Sequence, residues 1–255
     1  MTFDEKKILE FLDDNGLDIF SKNIINDIDE IPLERSELAL RSLINKGFIK
    51  TIERGKYCKH NFEDEHVIGT FIVKRGAIAY WSALNYHGLT EQIPNVIFVQ
   101  TAQWKKDKNI FGVKYKFIQV KENKLVGYIK EGYGNHQFYI TDREKTLVDS
   151  FDLPEYSGGY QEIIKAFSIA KINENKLIKY CKATGNIALT KRIGYLSELL
   201  KKPKMNLFLK YALSVRNEKY THFIPYGNKK GNTNRRWRLV LNIPEDEIIQ
   251  IAEKY

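Results

Sequence analysis

Residues 33–59, LERSELALRSLINKGFIKTIERGKYCK, join a helical apolar stripe to an alternating hairpin pattern. In the first half Leu40, Leu43 and Ile44 recur at helical spacing, and Gly47 supplies a stop. In the second half Phe48-Ile49-Lys50-Thr51-Ile52-Glu53 alternates like a strand. Arg54-Gly55-Lys56 reads as a hairpin tip, and Tyr57-Cys58-Lys59 as the returning strand. Cys58 is expected in the core of that strand.

Upstream, Thr2-Phe3-Asp4-Glu5 has the form of a capping box, with Thr2 as N-cap and Glu5 three residues on. Ile8, Leu9, Phe11 and Leu12 form an apolar stripe, and Asn15-Gly16 ends that helix. Phe20 and Ser21 are read as opening a short second helix with Ile24, Ile25 and Ile28 inward. Ile31-Pro32 breaks it, because proline drives its predecessor out of the α region. The third helix then spans about 33–46. Three helices and a hairpin predict a winged helix-turn-helix over residues 1–60.

In such a module the third helix enters the major groove of DNA. Arg35, Ser36 and Arg41 are the polar positions expected to face outward there, since arginine can bond guanine bidentately. Arg54 and Lys56 at the hairpin tip are expected to reach phosphates or the minor groove, and Ser21 and Lys22 to hold the backbone. The charge pattern partly opposes this. Residues 1–32 hold three basic against nine acidic side chains, and the third helix carries Glu34 and Glu37. Winged helices also dock proteins, so an adaptor without DNA binding is an alternative.

Over the whole chain, 41 Lys+Arg face 32 Asp+Glu, a formal net charge of +9 in 255 residues. The excess concentrates in residues 201–238, with eleven basic residues against Glu218 alone, which is either an anion-binding surface or a solvated lysine-rich face. A hydrophobic share of 43% fits a folded chain rather than a disordered one. Two distant cysteines exclude a disulfide scaffold and a cysteine-rich zinc site. No apolar run nears 18 residues, and the N-terminus lacks the pattern of a signal peptide. A soluble cytoplasmic protein is expected.

Residues 61–255 are read as a mixed α/β domain, making the fold class α+β. Residues 77–89 are expected to be a helix ending at Gly88. Residues 96–100, 115–120, 125–129 and 138–140 are read as strands, with a hairpin turn through Lys121-Glu122-Asn123-Lys124. Thr141-Asp142-Arg143-Glu144 reads as a second capping box. Helices follow at about 160–171, 174–183, 187–200 and 204–216. His222 to Tyr226 reads as a short strand and Arg236 to Ile243 as a clearer one, and Pro244 leads a terminal helix.

Taken in order, the winged helix, Ser82-Ala83-Leu84-Asn85-Tyr86-His87-Gly88-Leu89, Thr141 to Asp149, Leu189-Thr190-Lys191-Arg192-Ile193-Gly194-Tyr195-Leu196 and Asn234-Arg235-Arg236-Trp237-Arg238-Leu239 resemble the AbiEi family. Its members are antitoxins and transcriptional regulators of abortive-infection, or type IV toxin–antitoxin, systems. The resemblance spans nearly the whole chain. It implies that the N-terminal module binds inverted repeats in its own promoter as an autorepressor. It also implies that the C-terminal domain counters an AbiEii-like nucleotidyltransferase toxin, by direct contact or indirectly. Lys191, Arg192, Arg235, Arg236 and Arg238 are the candidate antitoxin surface. Alternation along the 236–243 strand would place Arg236 and Arg238 on one side and Trp237 on the other, in the core. A monomer in solution is expected, with pairing on DNA left open.

Enzymatic signatures are weak. Asp107 with Glu122-Asn123-Lys124 matches an acid followed by Glu-x-Lys, the pattern of a metal-dependent nuclease, and that is the alternative reading. Both parts fall in expected turns. The five histidines lack metal-ligand spacing, and neither a P-loop nor a GxSxG elbow occurs. No cofactor and no catalytic role are expected. Glu144 and Asp149 are read as cap and local ion-pair partner.

Overall fold

The computed structural model describes residues 1–28 and 30–253. The capping box forms as read. Glu5 N–H donates to Thr2 Oγ1 at 3.3 Å and Thr2 N–H to the Glu5 carboxylate at 2.8 Å. It opens α1 (Phe3–Asp14), which buries Ile8 and Leu12. The next segment departs from the sequence reading. Ile19–Ser21 is a strand, β1, and α2 (Lys22–Asn26) starts after it. The reason is that Ile19 and Phe20 enter two different cores on opposite sides of the chain, which period-two geometry allows and a helix does not. α3 (Leu33–Asn45), β2 (Ile49–Glu53) and β3 (Lys56–Lys59) match the reading closely. The three strands pair antiparallel in the order β1-β3-β2.

Both faces of this small sheet are apolar. Phe20 and Ile49 pack with Leu12, Leu40 and Leu43 of the helices. Ile19, Ile52 and Cys58 pack instead with Val67 and Ile68 of α4 (Glu65–Phe71) and, beyond them, with Val99 and Tyr115. Burial pushes the Cys58 thiol up to about 11, which suits a packing role.

The second sheet has six strands: β4 (Ala77–Ile78), β5 (Val96–Thr101), β6 (Lys108–Ile110), β7 (Val113–Gln119), β8 (Tyr128–Glu131) and β9 (Phe138–Thr141). Their order is β6-β7-β5-β4-β9-β8. The β5–β7 and β4–β9 pairs are parallel and the other neighbours antiparallel. Four expectations change here. Ala77 and Ile78 are strand, and only Tyr80–Tyr86 is helix, α5. An apolar run this short fits either element by periodicity alone. The expected 120–125 hairpin does not exist, because β7 and β8 lie far apart in the sheet and a 3-10 turn, Glu122–Lys124, separates them. Residues 125–127 cannot extend a strand. Gly127 sits at φ +73°, and a Cβ there would lie 2.8 Å from both Lys145 Cβ and the Tyr180 ring. The second cap is shifted by one: Asp142, not Thr141, accepts from Lys145 N–H at 2.9 Å and opens α6 (Arg143–Asp152). Thr141 is the last residue of β9, and Glu144 accepts from Asn173 N–H instead.

The rest is a helical layer, α7 (Tyr160–Ile169), α8 (Glu174–Thr184), α9 (Ile187–Leu199) and α10 (Asn206–Val215), followed by a small sheet and α11 (Glu245–Glu253). That sheet orders β10 (Thr221–His222), β12 (Leu239–Leu241) and β11 (Asn232–Asn234) as β10-β12-β11. Phe151, Phe167, Ile193, Phe208 and Trp237 share the largest apolar core. Residues 235–238 form a turn rather than the start of a strand, with Arg238 at φ +52°. The fold is mixed α+β. No helix among the described residues is long and apolar enough to cross a membrane.

Candidate nucleic-acid interface

The N-terminal helices and the hairpin tip enclose a groove of about 600 Å³. Its walls are Lys22 and Asn23 of α2, Glu37 and Arg41 of α3, and Arg54 and Tyr57 of the hairpin. Lys22 N–H donates to Gly55 O at 2.9 Å, which ties the start of α2 to the tip. Gly55 takes φ +77°, so the two-residue turn can close without strain. Lys22 Nζ donates to Glu37 at 2.5 Å and holds that carboxyl below its usual range. The acid on the helix is thereby neutralised by its neighbour. Arg41 and Arg54 are exposed, and neither makes a hydrogen bond or ion pair among the described residues. Two guanidinium groups thus remain available on one groove.

Two expected contact residues, Ser36 and Lys56, are placed differently, and a third, Arg35, has a partner. Ser36 does not face outward: it is fully buried, and its Oγ donates to Leu33 O at 2.8 Å. One helical turn rotates position 36 onto the face that packs against the other helices. Arg35 faces outward as expected, but it also pairs with Asp4 in two hydrogen bonds at 2.8 and 2.9 Å, which fastens α3 to α1. Lys56 turns away from the tip, to Glu53 at 3.1 Å and over the Phe71 ring at 5.5 Å, and burial lowers its pKa. Ser21 heads α2 but gives no side-chain cap. Asn23 and Tyr57 line the groove without having been singled out; the alternation of Tyr57 with buried Cys58 was the available signal.

Glu53 is the other residue that sequence reasoning passed over. It receives Lys56 at 3.1 Å, Lys105 at 2.9 Å and Lys108 at 2.5 Å. Burial works against its charge, but the hydrogen bonds from Lys105, Lys108 and Lys56 outweigh it and hold the pKa at about 2. The hairpin is thereby pinned to the edge of the six-stranded sheet. Asn135 Oδ1 adds a second tie, accepting from the Asp18 and Ile19 amides at 2.8 and 2.7 Å.

The five candidate residues of the C-terminal surface are not all at the surface. Lys191 is buried, and its ammonium donates to Lys219 O at 2.6 Å and to Arg238 O and Asn217 Oδ1 at 3.3 Å. Burial, with Arg192, Arg216 and Lys219 nearby, pushes its pKa down to about 8. Arg192 is also buried and donates to His222 O at 3.0 Å. Both are cross-links between α9 and the small sheet, so the expectation of an exposed role for them is corrected. Arg236 clasps Glu198 at 2.7 Å and Arg238 pairs with Glu218 at 2.5 Å. Arg235 is exposed. Trp237 is buried as expected, though in a turn: its Nε1 donates to Glu198 at 2.6 Å, and its ring lies where a Gly194 Cβ would be, 2.3 Å away.

The acidic residues weighed as a metal site have other partners. Asp107 accepts from Phe117 N–H, Glu122 pairs with Arg75, and Lys124 pairs with Asp152. Among the described residues, no three ligating side chains converge. Asp149 lies fully buried against Lys145, and burial raises its pKa.

No family model matches the chain, and no curated protein does. Among solved structures, the chain is similar to the crystal structure of the RV2827C protein from Mycobacterium tuberculosis, with a TM-score of 0.69 and 12% identity over 100% of this chain and 96% of that one. The two share a fold.

Proposed function

We propose that residues 1–60 form a winged helix-turn-helix that binds double-stranded DNA, with α3 in the major groove and the β2–β3 hairpin as the wing. The observation that carries this reading is the pair of exposed guanidinium groups, Arg41 and Arg54, on one groove between helix and hairpin tip, neither in a hydrogen bond or ion pair among the described residues. Arg41 suits a base edge and Arg54 a phosphate. The resemblance to the AbiEi family extends the reading: an autorepressor of its own promoter whose residues 61–255 act as the antitoxin domain against a nucleotidyltransferase. Arg235 and Arg236 remain the exposed members of the candidate antitoxin surface.

The test is binding to the protein's own upstream DNA against scrambled DNA of equal length, titrated in salt. Arg41→Ala is expected to weaken specific binding by about 1–3 kcal/mol. Arg54→Ala is expected to weaken binding to both DNAs and reduce the salt slope by about one. Equal affinity for both DNAs in the parent protein, or unchanged binding in both variants, would return the module to a protein-docking role. Point variants are preferable to deleting residues 1–60, which would strip Ile19, Ile52 and Cys58 from the core they share with Val67 and Ile68.

A further inference from the structure

We infer that the cleft between the 102–107 loop and the outer end of β7 binds a single-stranded polynucleotide, through an exposed tryptophan and flanking lysines. The inference does not depend on the duplex-binding reading. Trp104 is 74% exposed at the rim of a cleft of about 580 Å³, whose other walls include Lys106, Lys116 and Tyr156. An exposed ring on its own carries no argument; a ring fixed in place beside a charged cleft does. Here the loop is pinned on every side. Gln119 Nε2 donates to Ala102 O at 3.0 Å, Phe117 N–H to Asp107 Oδ1 at 3.1 Å, Gln103 N–H to Thr101 Oγ1 at 3.3 Å, and Lys105 to Glu53 at 2.9 Å. The indole is held out rather than left out.

The strand beneath it has the complementary charge. Alternation along β7 puts Tyr115 and Phe117 into the core under α4, and leaves Lys114 and Lys116 on the other face, opposite Val96 and Phe98 of β5. Lys116 Nζ lies 5.1 Å from the centre of the Tyr156 ring. Lys106, Lys114 and Lys116 make no ion pair among the described residues. The acids that the Tyr156 hydroxyl senses are Glu155 and Asp107, and Asp107 is bonded to the Phe117 amide. A sheet face with free ammonium groups and a preorganised ring offers a backbone track and a stacking platform, the two parts that single-strand binding requires. A duplex keeps its bases stacked inside, where Trp104 cannot reach them. An acidic peptide would use the lysines but not the platform.

The experiment is fluorescence anisotropy of labelled (dT)10 and (U)10 with the full chain, alongside labelled upstream duplex. Trp104→Ala is expected to weaken oligonucleotide binding at least about fivefold while Trp104→Phe restores most of it. Lys106→Ala/Lys116→Ala should weaken it and flatten its salt dependence. Neither change should alter duplex binding or melting temperature. Unchanged oligonucleotide affinity in Trp104→Ala would overturn the inference. So would its loss in Arg41→Ala/Arg54→Ala, or displacement of the oligonucleotide by a ten-residue polyglutamate at equal concentration. Loss of duplex binding in Arg41→Ala with the oligonucleotides still held would leave both readings standing separately.

Discussion

Two regions of this chain carry candidate arginine and lysine contacts, and the fold engages those side chains differently. Of the candidates in residues 191–238, Lys191 and Arg192 satisfy backbone carbonyls and Arg236 and Arg238 close on Glu198 and Glu218, while Arg235 and its neighbours Lys229 and Lys230 stay exposed. On the groove between α3 and the hairpin tip, in a segment with fewer basic residues, Arg41 and Arg54 are left unpaired. Net charge along the sequence therefore does not tell which cations the fold has already engaged. What matters is whether a carbonyl or carboxylate of the same chain lies within reach of each cation.

The contrast can be broken by substitutions that should move stability in one region and binding in the other. Trp237→Ala should destabilise the fold by roughly 3–5 kcal/mol, read by urea unfolding, because the ring fills the centre of the largest core against Gly194. Duplex affinity of the folded fraction should be unchanged. Lys191→Met should follow at about 2–3 kcal/mol, since the Lys219 and Arg238 carbonyls lose a buried donor. A variant as stable as the parent would mean that Lys191 is a surface cation after all.

Glu53→Gln tests the joint between the hairpin that bears Arg54 and the six-stranded sheet, and should cost about 1–2 kcal/mol at neutral pH. Its pH dependence has a definite sign. The folded-state pKa lies at about 2, below the ordinary value of 4.5, so the unfolded chain takes up the proton first as pH falls. The stabilisation is complete above about pH 4.5 and is lost toward pH 2. The stability difference between parent and Glu53→Gln should therefore shrink across that window. A constant difference would show that Glu53 acts through packing alone. Smallest is the effect of Arg41→Ala on stability, within about 0.5 kcal/mol, in the variant expected to lose most in duplex affinity. A large loss of stability there would dissolve the contrast.

Local signals were read well where they are local. The Thr2–Glu5 box, the α3 stripe ending at Gly47, and the Arg54-Gly55 turn each involve residues within four positions of one another. Errors arose where a distant partner decides. Ile19 and Phe20 are strand because Tyr57 and Cys58 lie beside them. Ala77 and Ile78 are strand because Val99, Gln100 and Ile140 are their neighbours. Ser36 left the candidate interface because it lies on the packed side of α3, fully buried, with its hydroxyl bonded to Leu33 O.

The α+β class, the order of most elements and the basic stretch at 201–238 are legible along the chain, because propensity, capping and periodicity act over a few residues. Tertiary structure alone decided which cations are free. Desolvation and pairing depend on what chain segments far away in sequence bring within about 4 Å, and no linear pattern encodes that distance.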